Sequence, residues 1–174
     1  MVKVFLASRN VRTLSSDLKI DTHLDVTANI KADVVGICET RRSSDLVAEW
    51  HMGDQVFLGR AFDCKTRNGG VGFIVRKEMV KHIKSCDLIS PRTAVLILRL
   101  TGRCTIKIIQ AHAPAQNNNQ TPEEADEDIE GFYQELEEAM QVRSTYMVIQ
   151  GDFNATVGKK INKAKAALEV SEWV

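Results

Sequence analysis

Gln150-Gly151-Asp152-Phe153-Asn154-Ala155 sets a carboxylate and a carboxamide two residues apart, directly after the apolar run Tyr146-Met147-Val148-Ile149. The run predicts a buried strand, and Gly151 frees the backbone at its C-terminal end. Side chains alternate along extended chain, so Asp152 and Asn154 are expected to project together from a strand end, where open α/β sheets hold their ligands. The competing reading is an Asx-turn in which both side chains bond only nearby backbone. A second acid, Glu39, closes another apolar run, Asp33-Val34-Val35-Gly36-Ile37-Cys38, and is followed by Thr40-Arg41-Arg42. If the two strands run parallel and close together, both carboxylates emerge on one edge of the sheet. Otherwise Glu39 pairs with Arg41 or Arg42 at the surface.

The elements that must carry these groups can be read in order. Val2–Ala7 is apolar and β-branched and predicts a strand, which places Asn10 at a strand terminus. Leu18, Leu24, Ala28 and Lys31 recur at roughly helical spacing and predict a helix from about 17 to 31. A strand, a helix and a strand of these lengths suggest a parallel βαβ unit. Ser43–Ala48 reads as a helix or loop, Trp50 as a core contact, Phe57-Leu58-Gly59 as a short strand and Gly70–Val75 as a strand after a turn at Asn68-Gly69-Gly70. Ala94–Leu100 and Thr105–His112 flank Thr101-Gly102-Arg103-Cys104 as a hairpin, and Pro114 stops the second strand just after His112. Thr121-Pro122-Glu123-Glu124 is a helix start with an N-cap, Pro at N1 and Glu at N3. Ile129, Phe132, Tyr133, Leu136 and Met140 form the predicted apolar stripe of that helix. Residues 157–174 are lysine-rich and then amphipathic, which predicts a terminal helix.

Composition bounds the class. The chain has 174 residues, 44% hydrophobic and 26% charged, the profile of one globular domain. No apolar run reaches the ~20 residues of a membrane span, and the N-terminus lacks the pattern of a secretory leader, so an intracellular protein with no membrane partner is expected. Cys38, Cys64, Cys86 and Cys104 are irregularly spaced, which favours reduced thiols over a disulfide framework or a disulfide-linked partner. His23, His51, His82 and His112 lack zinc-ligand spacing. His23, His51 and His82 are read as surface or satisfied core positions. Net charge is zero, yet residues 121–140 hold nine acids and no base, leaving 23 basic against 14 acidic residues elsewhere. A basic body is compatible with a phosphate-bearing partner and equally with solvated surface charge.

Four strand-terminal groups thus stand in order: Asn10, Glu39, His112-Ala113-Pro114 and Asp152-Phe153-Asn154. This order resembles the endonuclease/exonuclease/phosphatase superfamily. Asn10-Val11-Arg12-Thr13-Leu14, Cys38-Glu39-Thr40-Arg41-Arg42, Gly70-Val71-Gly72-Phe73 and Gly151-Asp152-Phe153-Asn154-Ala155-Thr156-Val157-Gly158 look closest to the endonuclease domain of LINE-type retrotransposons and to craniofacial development protein 2-like proteins. The resemblance implies a deoxyribonuclease-like layered α/β sandwich over residues 1–158, lacking the last part of its second sheet, and a divergent basic and amphipathic tail over 159–174.

The resemblance further implies a metal-dependent phosphodiester hydrolase acting on DNA. Magnesium or manganese would neutralise the developing charge, and magnesium takes oxygen ligands, commonly one or two carboxylates plus waters. By resemblance Glu39 and Asn10 bind the metal, Asp152 orients or deprotonates the attacking water, Asn154 holds the phosphate or that aspartate, and His112 contacts the phosphate. Arg92, after Pro91, is a candidate for the phosphate channel or a surface loop arginine. Three departures stand out. His112 occupies the place of a usual tyrosine, and its charge would titrate near neutral pH. Arg9 replaces an aromatic or apolar residue. The closing Ser-Asp-His motif is missing, so a C-terminally truncated, weak or inactive enzyme is expected. The alternatives are a non-catalytic binding or scaffold remnant and a phosphomonoesterase acting on a small phosphorylated molecule. Oligomeric state is not readable from the sequence.

Overall fold

The computed structural model describes residues 3–62, 68–115 and 120–155. The predicted tail, Thr156-Val157-Gly158 of the last motif and Cys64 lie outside them. Within them β1 (Leu6–Asn10), α1 (Asp17–Thr27) and β2 (Val34–Cys38) form the expected unit, β1 pairing parallel with β2 from Leu6 opposite Val34 to Asn10 opposite Cys38. Next come β3 (Leu46–Glu49), β4 (Gln55–Leu58) and β5 (Val71–Val75), completing a five-stranded sheet in the order β1-β2-β5-β4-β3. After the single turn α2 (Lys77–Val80), β6 (Ile83–Leu88), β7 (Thr93–Arg99), β8 (Thr105–His112) and β9 (Tyr146–Asp152) make a second sheet in that order. β8 and β9 run parallel, joined through α3 (Pro122–Gln141).

Every residue of β2 and β5 is buried, because both faces of their sheet are covered; this is why these strands read as unbroken apolar runs. Between the sheets, Val34, Phe73 and Val75 meet Ala94, Leu96, Leu98 and Ile108. On the outer face of the first sheet, Val35, Ile37, Val56 and Ile74 pack with Leu14 and Ile20 of the α1 side. On the outer face of the second, Val95, Ile97 and Ile109 pack under Phe132, Leu136 and Ala139 of α3. The result is an α/β/β/α sandwich, a mixed α/β architecture as expected. Among the described residues no helix is long and apolar enough to cross a membrane.

Several local expectations need correction. The expected start of the first strand, Val2, lies outside the described residues; Lys3, Val4 and Phe5 precede the strand, which begins at Leu6 because pairing with β2 starts there while the Phe5 carbonyl takes the turn amides of Asp33 and Val34. α1 stops at Thr27, where short-range bonds such as Ile30 N–H to Thr27 O tighten the chain out of the helix. Its buried face is Ile20, His23 and Thr27; Leu18, assigned to the stripe, is 75% exposed. Residues 46–49, read as helix or loop, form β3, an edge strand of alternating burial whose register with β4 decides its conformation. α2 and β6 were not foreseen. β6 mixes Lys84, Ser85 and Asp87 with apolar residues in no regular alternation, and pairing with β7 is what orders it. On α3 only Phe132 and Leu136 of the predicted stripe are buried, with Ala139, since the helix meets the sheet along a narrow line; Ile129, Tyr133 and Met140 face outward. The helix start is as read: Thr121 Oγ1 accepts from Glu124 N–H while the Glu124 carboxylate accepts from Thr121 N–H.

Candidate active site

β1, β2, β8 and β9 end at the same end of the sandwich, and their last residues meet there. Asn10 closes β1 and donates through one side-chain nitrogen to Glu39 Oε1 at 2.6 Å and to Asp152 Oδ2 at 3.0 Å. The two acids therefore converge, but from different sheets, and not on one sheet edge as expected: β2 belongs to the first and β9 to the second. Both readings of Glu39 hold together, because its other oxygen accepts from Arg41 Nη2 at 2.6 Å. Arg42 turns away, donating to the Leu14 carbonyl at 2.9 Å and approaching Asp17.

The backbone at these ends is bent hard. Arg12, Glu39, Arg41 and Asn154 are the non-glycine residues with left-handed φ among the described residues (59°, 62°, 53° and 46°), and each is in the cluster or within two residues of it. Such conformations are costly and persist where surroundings enforce them, commonly at functional sites. Gly151, with φ 143°, is required: a Cβ there would meet the Ala111 carbonyl oxygen at 1.8 Å. At Asn154 the turn overrides strand alternation. Its backbone N–H donates to Asp152 Oδ1 at 3.0 Å, the Asx-turn anticipated as the competing reading, and its side-chain amide donates to the Ala113 carbonyl at 2.7 Å. Asn154 thus orients Asp152 through its backbone and ties β9 to the end of β8, while its side chain does not project beside the aspartate.

Electrostatics assign the charge states. Burial pushes the Glu39 carboxyl up, but hydrogen bonds from Asn10 and Arg41 and the Arg41 charge outweigh it and hold the group below the ordinary carboxylate range. Glu39 is ionised at neutral pH. His112, opposite Asp152 in the β8–β9 register, is half-buried. Burial pushes its imidazole below the ordinary value against the pull of Asp152 and Glu39, with Arg92 and Arg41 adding to the lowering. The neutral form of His112 is thus favoured, and its buried Nδ1 has no partner among the described residues. Arg92 is half-buried, with its guanidinium 4.5 Å from the Phe62 ring centre and Nη1 donating to the His112 carbonyl at 3.3 Å. It sits behind His112 and does not touch the acids.

Beneath this cluster lies a polar layer that the sequence reading missed. Gln110 and Ser8 precede His112 and Asn10 by two residues, and Gln150 precedes Asp152 by two, so alternation puts each under a site residue. Gln110 Nε2 donates to Ser8 Oγ and lies 3.0 Å from Cys38 Sγ; Gln150 Nε2 donates to Gln110 Oε1 and to the Ala7 carbonyl, both at 3.1 Å. The available signal was a glutamine two residues before the last residue of each strand, following the apolar pairs Ile108-Ile109 and Val148-Ile149.

The donor set can be tested against a divalent cation. Glu39 and Asp152 supply hard carboxylate oxygens that meet on one amide. A cavity of about 510 Å³ lined by Ser8, Asn10, Asp152 and Asn154 opens on the Asp152 side of that amide, and Glu39 does not line it. The two acids fit such an ion. Asn10 fits less well, because its oxygen accepts Arg12 N–H at 3.0 Å and its nitrogen faces the carboxylates. No group of three His, Cys, Asp or Glu side chains gathers among the described residues, so any cation here would keep several waters.

Two packed sheets, outer helices and a polar cluster at the strand ends define a deoxyribonuclease-like α/β fold. No protein-family model and no curated protein matches the sequence. Solved structures do match: a 3′-5′ exonuclease from Neisseria meningitidis at 18% identity, covering 88% of this chain and 58% of its own (TM-score 0.58). A 3′ phosphatase from Neisseria bound to product DNA hairpin matches at 12% identity over 87% and 58% (TM-score 0.55), and a β-hairpin deletion mutant of β toxin from Staphylococcus aureus at 12% over 90% and 69% (TM-score 0.51). The chain spans about 58% of the length of the two Neisseria structures. At these identities the likeness is one of fold.

Proposed function

We propose that this chain is a metal-dependent phosphodiester hydrolase domain whose substrate is nucleic acid. The observation that carries the reading is the single Asn10 amide shared by Glu39 and Asp152, residues that come from different sheets and lie far apart in sequence. Two ionisable acids are not placed within reach of one donor without cost, because their charges repel. A divalent cation such as Mg²⁺ or Mn²⁺ would offset that repulsion and neutralise charge developing on a phosphate. Glu39, ionised and anchored on both oxygens, is the residue to hold it. Asp152, oriented by Asn154 N–H and Asn10, accepts a proton from, or aligns, the attacking water. Asn10 sets the spacing of the two acids. Neutral His112 can donate a hydrogen bond to a phosphate oxygen, with Arg92 fixing its backbone from behind. The descriptions of the Neisseria neighbours, an exonuclease and a phosphatase bound to DNA, support phosphoester cleavage on nucleic acid. An endonuclease of LINE retrotransposon type is the finer form of the reading, and its support is the run of sequence motifs.

The test is nicking of supercoiled plasmid with Mg²⁺ or Mn²⁺. Glu39→Gln and Asp152→Asn should each lower the rate by at least about a hundredfold, the usual scale for loss of a charged group acting in the transition state. Cutting at an unchanged rate in either variant sinks the site assignment. A second reading, a phosphomonoesterase using the same acids, has in its favour that one fold neighbour is a 3′ phosphatase. Release of phosphate from a 3′-phosphorylated oligonucleotide without internal cutting would select it.

A further inference from the structure

We propose that the cavity between the β1–α1 loop and α1 is a second phosphate-binding site, taking the phosphodiester of a nucleic-acid strand next to the one held at Asn10, Glu39 and Asp152. The proposal rests on the hydrolase reading above and names the polymer that the site accepts.

The cavity measures about 480 Å³ and shares Asn10 with the site cavity. Arg9, Arg12 and Lys19 line it, and no carboxylate does. Among the described residues none of the three makes an ion pair; Lys19 Nζ contacts only the hydroxyls of Thr13 and Ser15, both at 3.3 Å. Three cations around one hollow repel each other unless an anion enters, and a pocket lined by one sign of charge concentrates the opposite one. A second, independent feature is His23 in the cavity wall. It is 7% exposed, and its Nε2 has no partner among the described residues, where buried polar atoms are nearly always bonded.

The pocket is coupled to the acids. Arg12 N–H donates to Asn10 Oδ1 and Arg9 adjoins Asn10 in β1, so two of the three cations are tied to the residue whose amide joins Glu39 and Asp152. Two anion positions sharing one residue match a chain of consecutive phosphates. A small monoester would fill only one of them. Arg9 stands where the family resemblance leads one to expect an aromatic or apolar side chain, so the charge of this pocket is a property of this chain.

The experiment is binding of a fluorescent DNA duplex to the whole chain in EDTA, by anisotropy across a salt series, comparing wild type with Arg9→Ala/Lys19→Ala. Both residues are exposed, so the variant is expected to fold, and its thermal midpoint checks this. Each lost phosphate contact removes about 0.9 from the slope of log K against log salt, so the slope should fall by about 2 and affinity at low salt on the order of tenfold or more. Lys81→Ala/Lys84→Ala, at the β6 edge of the second sheet, should change neither. An unchanged slope in Arg9→Ala/Lys19→Ala, or an equal loss in the control, overturns the proposal. So does inorganic phosphate displacing the duplex at concentrations equivalent in phosphate, which would mark a free-anion site. Hydrolysis of bis(p-nitrophenyl) phosphate separates the two readings. Lys81→Ala/Lys84→Ala should leave it unchanged while Asp152→Asn abolishes it and retains duplex binding. Hydrolysis insensitive to Asp152→Asn would defeat the hydrolase reading and leave the phosphate site standing.

Discussion

Gln150 donates its side-chain amide to Gln110 Oε1 at 3.1 Å, across a register pair of the parallel strands β8 and β9. The pair crosses the space between the sheets: Gln110 reaches Ser8 and Cys38, and Gln150 reaches the Ala7 carbonyl, all on β1 or β2. Apolar contacts hold two sheets together without specifying how far one slides on the other. Hydrogen bonds between fixed partners do, because a slide leaves buried amides unsatisfied at about 1–3 kcal/mol each. Since Cys38 adjoins Glu39 and Gln150 lies two residues before Asp152, this layer sets the separation of the two acids.

Gly36 is the position that admits the layer. A Cβ there would lie 1.7 Å from Gln110 Oε1 and 2.4 Å from Gln150 Nε2. Those atoms end long side chains, but their bonds to β1, β2 and each other restrict retreat. Gly36→Ala should therefore destabilise the fold by about 1–3 kcal/mol in urea titration, the usual cost of overpacking. The same substitution in a Gln110→Ala background should cost clearly less, giving a coupling of at least about 0.5 kcal/mol. Additive effects would show that the amides do not occupy the space Gly36 leaves.

Arg41 competes with any cation for Glu39. Its guanidinium bonds Glu39 Oε2 while its own backbone is left-handed, so a loop conformation of low intrinsic stability is spent on an ion pair. The arginine side chain is 41% exposed, so the pair is worth at most about 1 kcal/mol. Arg41→Ala should accordingly tighten Mn²⁺ binding by up to roughly fivefold in titration calorimetry. Binding that weakens, or does not change when Glu39→Gln is introduced, would place the cation elsewhere.

The extent to which sequence revealed this arrangement follows from how local each cause is. α3 was legible because its start is written in four consecutive residues, Thr121 to Glu124. β2 and β5 were legible because covering both faces makes every position apolar. Asn10, Glu39 and Asp152 were legible as strand-end polar groups, and their meeting was expected from resemblance. What sheet carries which acid was not, because β5, which reverses direction beside β2, and the crossover to the second sheet are set by long-range pairing. β3 and β6 stayed hidden for the same reason: short edge strands take their conformation from a partner. The Asn154 side chain was misplaced because a left-handed backbone breaks the two-residue alternation on which its direction was inferred.

Lys107 is fully buried in β8 and spends its charge on a helix end. Its Nζ donates to the carbonyls of Ala139, Met140 and Val142 at 2.8, 2.8 and 2.6 Å, groups that the C-terminus of α3 leaves without helical partners. A methionine of similar shape would leave those carbonyls unsatisfied. Lys107→Met should lower stability by about 2–3 kcal/mol, whereas Lys84→Met on exposed β6 should stay within about 0.5 kcal/mol. Equal urea midpoints for the two variants would show that water serves the helix end as well as the ammonium does.

His23 makes stability depend on pH in a defined window. Burial pushes its imidazole down to about 4 from 6.5, with the charges of Arg9 and Arg76 adding to the lowering. Between those values the unfolded chain binds a proton that the folded chain refuses, so stability rises with pH there. Stability is complete above about 6.5 and declines as pH falls, the loss levelling off near 4 at on the order of 3 kcal/mol. His112 is displaced in the same direction, and Glu39 loses its own contribution on acidification, so the total slope belongs to several groups. The difference between wild type and His23→Leu isolates one of them. Unfolding free energies measured at pH 7.5, 6 and 5 should show the wild type losing ground to the variant at each step down. Parallel curves would mean that the imidazole is protonated in place, and hence that Nε2 has found a partner, such as water, that accepts its proton.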